Sequence, residues 1–167
     1  SWQKIAGDLP AGGPVRVVRE DPENERLLFT GTEFGAFVTL DRGRHWLPLR
    51  PDGFPAVQFH DVEIHPRERD LVAATHGRSI YVLDDITGLE QLNSDVMRKP
   101  VVLLKPRPAR GYFMLRRGGM WGNDQYGSKS SPPQATLNYW VRERDRNGAK
   151  LTVKDSTGRV VRELEGS

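Results

Sequence analysis

Apolar residues along this chain recur in short runs and at alternate positions. No stretch keeps the three-to-four spacing of a sustained amphipathic helix. Val15-Arg16-Val17-Val18 and Asp61-Val62-Glu63-Ile64 are short runs rich in β-branched residues, the pattern of a half-buried strand. Leu27 to Thr30 and Leu71 to Thr75 predict a second pair of strands. Ala36 to Leu40 and Ser79 to Leu83 predict a third, and His45 to Leu49 and Leu89 to Leu92 a fourth. Val101 to Leu104 predicts a further strand between prolines. Leu137 to Val141 alternates ahead of an Asn147-Gly148 turn. Leu151 to Val153 and Val160-Val161 flank the turn sequence Asp155-Ser156-Thr157-Gly158.

The first eight of these strands form two copies of one unit. Trp2-Gln3-Lys4-Ile5 matches Trp46-Leu47-Pro48-Leu49, 44 positions on. Asp21-Pro22 ahead of Leu27-Leu28 matches His65-Pro66 ahead of Leu71-Val72, Phe37-Val38 matches Tyr81-Val82, and Asp41 matches Asp85, all at the same spacing. Four short strands in a unit of this size predict a four-stranded antiparallel blade of a β-propeller. The expected fold is therefore all-β, with about two such blades.

Thr39-Leu40-Asp41-Arg42-Gly43-Arg44-His45-Trp46 lies between the third and fourth strands of the first unit. Asp41 suits a turn because its carboxylate accepts from nearby amides. Gly43 suits the positive φ of a tight turn, and Trp46 is a large apolar plug. Thr39, Asp41, Gly43 and Trp46 resemble the Asp box of BNR repeats, with His45 in place of the usual small hydroxyl residue. These four are expected to be structural. Ser1-Trp2 resembles the end of a preceding box. In the second unit Asp85 is kept, while Thr87 and Glu90 stand at the Gly43 and Trp46 positions.

Wider stretches carry the resemblance further. G-T-E-F-G-A-F-V-T (31 to 39), E-I-H-P-R (63 to 67) and A-T-H-G-R-S-I-Y-V-L-D-D-I-T (74 to 87) are similar to the last blades of large bacterial sortilin/VPS10-like, BNR-repeat proteins, often described as glycosyl hydrolases. The resemblance implies residues 1–110 as C-terminal blades, 111–134 as a Pro/Gly-rich linker, and 135–167 as the start of an FlgD-like or Ig-like β-sandwich. About 100 residues complete such a sandwich, so the chain is expected to stop inside it. The abrupt opening at Ser1 leads us to expect sequence upstream as well. The resemblance also implies an extracellular or periplasmic protein. Its implied partners are the remainder of the propeller, in the same or a separate chain, and a glycan or protein ligand.

Composition narrows the classes. Apolar residues make up 37% of the chain, and 17 Gly and 12 Pro suit turn-rich β structure better than a helical bundle. Cysteine is absent, which excludes disulfides and thiolate metal sites. No apolar run reaches bilayer-spanning length, so no membrane partner is expected. A net charge of +3 is too small for a general polyanion binder. The run Arg98, Lys99, Lys105, Arg107, Arg110, Arg116 and Arg117 holds no acid and has Tyr112, Phe113 and Trp121 nearby. No nucleic-acid motif accompanies it, and the expectation is that it covers acidic propeller edges.

Candidate chemistry falls where propeller ligands sit, on loops between second and third strands and between blades. Glu33, Phe34, Asp52, His60, Asp61, His76 and Arg78 occupy those positions. A glycosidase needs two carboxylates, and Glu33 and Asp61 are the weak candidate pair. Phe34, His60, His76 and Arg78 are ligand-face candidates, with Arg78 also suited to an ion pair with Asp84 or Asp85. No sialidase arginine triad, catalytic Ser-His-Asp spacing, phosphate loop or metal cluster is recognisable, and His60 with His65 lacks a third ligand. No cofactor and no metal are expected. The favoured function is a non-catalytic binding scaffold, and the alternative is a segment of a glycoside hydrolase.

Overall fold

The computed structural model describes residues 2–51, 54–109, 111, 135–143 and 149–166. The 112–134 segment, Arg110, Asp52 and the Asn147-Gly148 turn lie outside the described residues, and with them the reading of that segment as a loop or tether. The described chain is all-β with antiparallel sheets. Four strands, β1 (Val15–Glu20), β2 (Leu28–Thr32), β3 (Gly35–Thr39) and β4 (Leu47–Pro48), pair in chain order. Three more, β5 (Phe59–Ile64), β6 (Leu71–Thr75) and β7 (Ile80–Leu83), form a second sheet in chain order.

The two sheets carry the same local devices. Each first strand bulges at one residue, Arg16 in β1 and His60 in β5, 44 positions apart. Each hairpin is clamped by the threonine ending its second strand. The Thr32 hydroxyl accepts from Phe34 N–H (3.1 Å) and donates to the Gly35 carbonyl (3.0 Å). The Thr75 hydroxyl accepts from Arg78 N–H (3.1 Å) and donates to the Ser79 carbonyl (2.7 Å). One strand departs from the 44-residue spacing. Val18 pairs with Thr30 and Val62 with Ala73, so β6 lies one residue closer to β5 along the chain than the spacing gives. Phe29 faces Val38 and Val72 faces Val82, so Phe37-Val38 matches Tyr81-Val82 as the spacing predicts. Tyr81 and Leu83 lie on the core, and Ile80 and Val82 are exposed.

One core serves both sheets: Leu27, Phe29, Ala36 and Val38 from the first repeat join Phe59, Val62, Ile64, Leu71 and Ala73 from the second. Burying a side chain of this class contributes about 1.5–3 kcal/mol. A smaller cluster of Leu28, Phe37 and Trp46 packs with Leu9.

The turn at 39–46 brings Trp46 into that second cluster. Asp41 Oδ1 accepts from the Arg44 and His45 amides at 3.0 and 2.9 Å, and Thr39 Oγ1 accepts from Gly43 N–H at 2.9 Å. Gly43 has φ of +81°, and a Cβ there would lie 2.9 Å from Ile5 Cβ. Trp46 donates from Nε1 to the Ile5 carbonyl (2.7 Å) and from its amide to Asp8 Oδ2 (3.0 Å). The turn therefore docks the N-terminal segment. Trp2, the match to Trp46, is fully exposed.

The expected fourth strand at Leu89–Leu92 does not form, so the second sheet has three strands. A short helix, α1 (Thr87–Glu90), stands there. Asp85 Oδ1 accepts from Thr87 N–H and Oγ1, and Leu89 and Glu90 donate to the Ile86 carbonyl. Ile86 is buried in the core, which turns Glu90 inward. Arg69 Nη2 lies 2.6 Å from Asp21 Oδ2, and Arg69 Nε lies 2.7 Å from Glu90 Oε1. Asn24 Nδ2 donates to the Glu90 carbonyl at 2.7 Å. All three charged side chains are nearly or fully buried.

After α2 (Ser94–Arg98), β8 (Val101–Leu103) pairs with β9 (Tyr139–Val141), and β10 (Ala149–Lys154) pairs with β11 (Val160–Gly166). The strand expected at Val101 to Leu104 forms as β8, and its partner is the strand at Trp140. The Asp155 turn repeats the device of the 39–46 turn, with Oδ1 accepting from the Thr157 and Arg159 amides. Arg107 lies 3.5 Å from Asp85 and 3.9 Å from Glu68, while Arg98 pairs with Asp95.

Two measurements check this account. Arg69→Met leaves Asp21 and Glu90 buried without their cation and should lower the unfolding free energy by about 3–5 kcal/mol, read by urea denaturation. The His45–Asp41 contact (2.6 Å) sets a pH window. The hydrogen bond to Asp41, helped by the charge on Asp41, raises the His45 pKa. Burial alone would raise Asp41, but the His45 amide, the His45 ring and the Thr39 hydroxyl outweigh it and lower the Asp41 pKa. The stabilisation from the raised His45 is lost as pH rises through its folded-state value; that from the lowered Asp41 is lost as pH falls through its own. An NMR titration should place His45 above the ordinary imidazole value, and His45→Ser should remove the step in stability that its titration produces.

Candidate functional site

The loop-facing end of the two sheets gathers most of the sequence-predicted site residues. The bulges at Arg16 and His60 turn those side chains toward the hairpin tips, a common use of bulges beside functional sites. Arg16 Nη2 lies 2.9 Å from Glu33 Oε2 on the first hairpin turn. The same oxygen accepts from Gln58 Nε2 at 2.9 Å, and His76 N–H donates to the Gln58 carbonyl at 3.0 Å. Glu33 thus ties its own repeat to the entry of β5, and Gln58 ties that entry to the second hairpin.

His60 and His76 face each other across the second hairpin, with ring centroids 5.0 Å apart and planes 29° apart. Both are exposed. Phe34 is half-exposed, and its ring edge fills the space that a side chain at Gly13 would need, 2.6 Å from the ideal Cβ position. Arg78 is fixed through its backbone by Thr75. Among the described residues no ion pair joins Arg78 to Asp85, which with Asp84 was one of its two expected partners; Asp85 faces Arg107 instead.

Asp61 belongs to a different group. Arg19 reaches across from β1, with Nε 2.8 Å from Glu63 Oε2 and Nη2 3.3 Å from Asp61 Oδ1. Asp61 Oδ1 also accepts its neighbour's Val62 N–H at 2.9 Å. Glu33 and Asp61 are therefore held by different arginines, and no hydrogen bond joins them among the described residues. A glycosidase general acid is a carboxyl kept in apolar surroundings; both carboxylates here are exposed and ion-paired.

Arg16, Arg19, Gln58 and Glu63 were missed by the sequence reading. The 44-residue spacing held the signal, since it aligns Arg16 with His60 and Arg19 with Glu63. No group of three or more His, Asp or Glu is placed to hold a metal ion among the described residues. No helix among them is long and apolar enough to cross a membrane. Comparison of the chain with protein-family models, curated proteins and solved structures returned no match.

Exposed ion pairs of this kind contribute about 0–1 kcal/mol. Glu33→Gln and Asp61→Asn should each change the unfolding free energy by less than about 1 kcal/mol, measured by urea denaturation, leaving both variants fit for ligand tests.

Proposed function

We propose that this chain supplies two blades of a larger exported β-propeller protein, which binds a glycan or protein ligand at the hairpin end of its sheets. The observation that carries the reading is the Arg19–Glu63 pair (2.8 Å). These residues occupy the same place in successive repeats, so equivalent positions of the two repeats stand side by side. The matching bulges at Arg16 and His60 support the same radial repetition. Exposed Ile80 and Val82 on the last strand of the second sheet offer an apolar surface for a further blade.

Binding is favoured over hydrolysis because Glu33 and Asp61 are separately ion-paired and exposed. The ligand face in this reading comprises Phe34, His60, His76 and Arg78: one half-exposed aromatic ring, two stacked imidazoles and a guanidinium. Aromatic rings and guanidinium groups suit recognition of sugars and carboxylates.

Size-exclusion chromatography with light scattering tests the blade reading. A self-assembled ring, or a complex with a larger chain, is expected. A stable 18.9 kDa monomer with cooperative unfolding would overturn it. In the assembled form, Phe34→Ala and Arg78→Ala should weaken binding to an arrayed glycan or protein ligand by roughly tenfold each, about 1.4 kcal/mol. Glu33→Gln should leave that binding within about threefold.

A further inference from the structure

The chain has four histidines, and the structure divides them into two kinds. His45 is engaged by Asp41, and His65 Nδ1 accepts from Glu68 N–H at 3.0 Å. His60 and His76 have no hydrogen-bond partner at either ring nitrogen among the described residues, and they lie against each other with both rings open to solvent.

Their backbones are fixed from several sides. His60 is the bulged residue between the Phe59–Thr75 and Asp61–Ala74 pairs. His76 is held by its N–H bond to Gln58, and the turn after it by the two bonds of the Thr75 hydroxyl. Two imidazoles on a hairpin and its neighbouring strand have backbones already fixed, so only side-chain torsions remain to be ordered when an ion binds. Two nitrogens on one tetrahedral ion with Zn–N bonds of ~2.0–2.1 Å lie roughly 3.3 Å apart. The rings lie stacked, 5.0 Å apart and inclined by 29°, so holding one ion between them requires rotation about χ2, a torsion with a broad minimum.

We propose that His60 and His76 form a two-histidine site for a borderline divalent transition ion such as Zn²⁺, Ni²⁺ or Cu²⁺. Imidazole selects these ions over the hard cations Ca²⁺ and Mg²⁺, which take oxygen ligands. With no third protein ligand among the described residues, the remaining coordination positions are open to water or to an oxygen of a bound ligand. The site does not depend on the blade reading, since both histidines lie on one hairpin and its neighbouring strand.

Isothermal titration calorimetry of the full chain with ZnCl₂, and separately NiCl₂, tests the site. One ion per chain is expected. His60→Ala and His76→Ala should each weaken binding by at least about tenfold, the low end of what even an outer-sphere partner costs a metal site. His45→Ala should leave it unchanged. Absence of saturable binding up to millimolar metal overturns the proposal, as does an unchanged affinity in both variants. Imidazole NMR signals of the wild-type chain give a readout that needs no variant. Zn²⁺ should shift the His60 and His76 resonances and spare those of His45 and His65; the reverse pattern also overturns the site.

Discussion

The Asp21–Arg69–Glu90 cluster decides how the two repeats meet. A guanidinium buried between two carboxylates is stable only when every partner is present, because each ion alone carries a desolvation penalty of several kcal/mol. Asp21 follows β1, Arg69 precedes β6, and Glu90 ends α1. Three separate parts of the chain must therefore arrive together. Burial raises the Glu90 pKa despite the opposing bond from Arg69. A group shifted this way contributes most below its unfolded value, and that contribution is lost as pH rises through its folded value. The cluster is thus costly to assemble and still more costly to break.

That constraint explains the asymmetry between the repeats. In the first, Trp46 plugs the cluster of Leu28 and Phe37 and anchors Ile5 through its indole N–H. In the second, Glu90 stands at the matching position and turns inward to Arg69. An extended strand alternates its side chains between two faces, whereas the single turn of α1 buries Ile86 and brings Glu90 to Arg69. The fourth strand is given up where the polar cluster is made.

The same repetition shapes the hairpin end. A bulge at one repeat position turns Arg16 to Glu33 in the first sheet and His60 to His76 in the second. One backbone device thus displays an ion pair in one place and an open imidazole pair in the other. Chemistry at this end varies through side chains alone, while threonine clamps keep both hairpin turns in place.

Most strand positions and the turn at 39–46 were legible from residues alone, because they rest on local terms: alternation, β-branching and turn chemistry. Thr39 and Asp41 bond to amides of their own turn, so their spacing already described those contacts, whereas Gly43 and Trp46 meet Ile5 from far away in the chain. The shorter connection between β5 and β6 and the longer turn between β6 and β7 were not legible, since only cross-strand pairing reveals them. The helix at Thr87–Glu90 was hidden for the same reason: its cause, Arg69, lies far away in the chain. The pairing of His60 with His76 rather than His65 needed the bulge and the hairpin together. Sequence by itself determined an all-β chain built on a repeated unit. Tertiary structure decided which charges are buried, which strand becomes a helix and which side chains share the hairpin end, because those outcomes turn on desolvation and contact between distant segments.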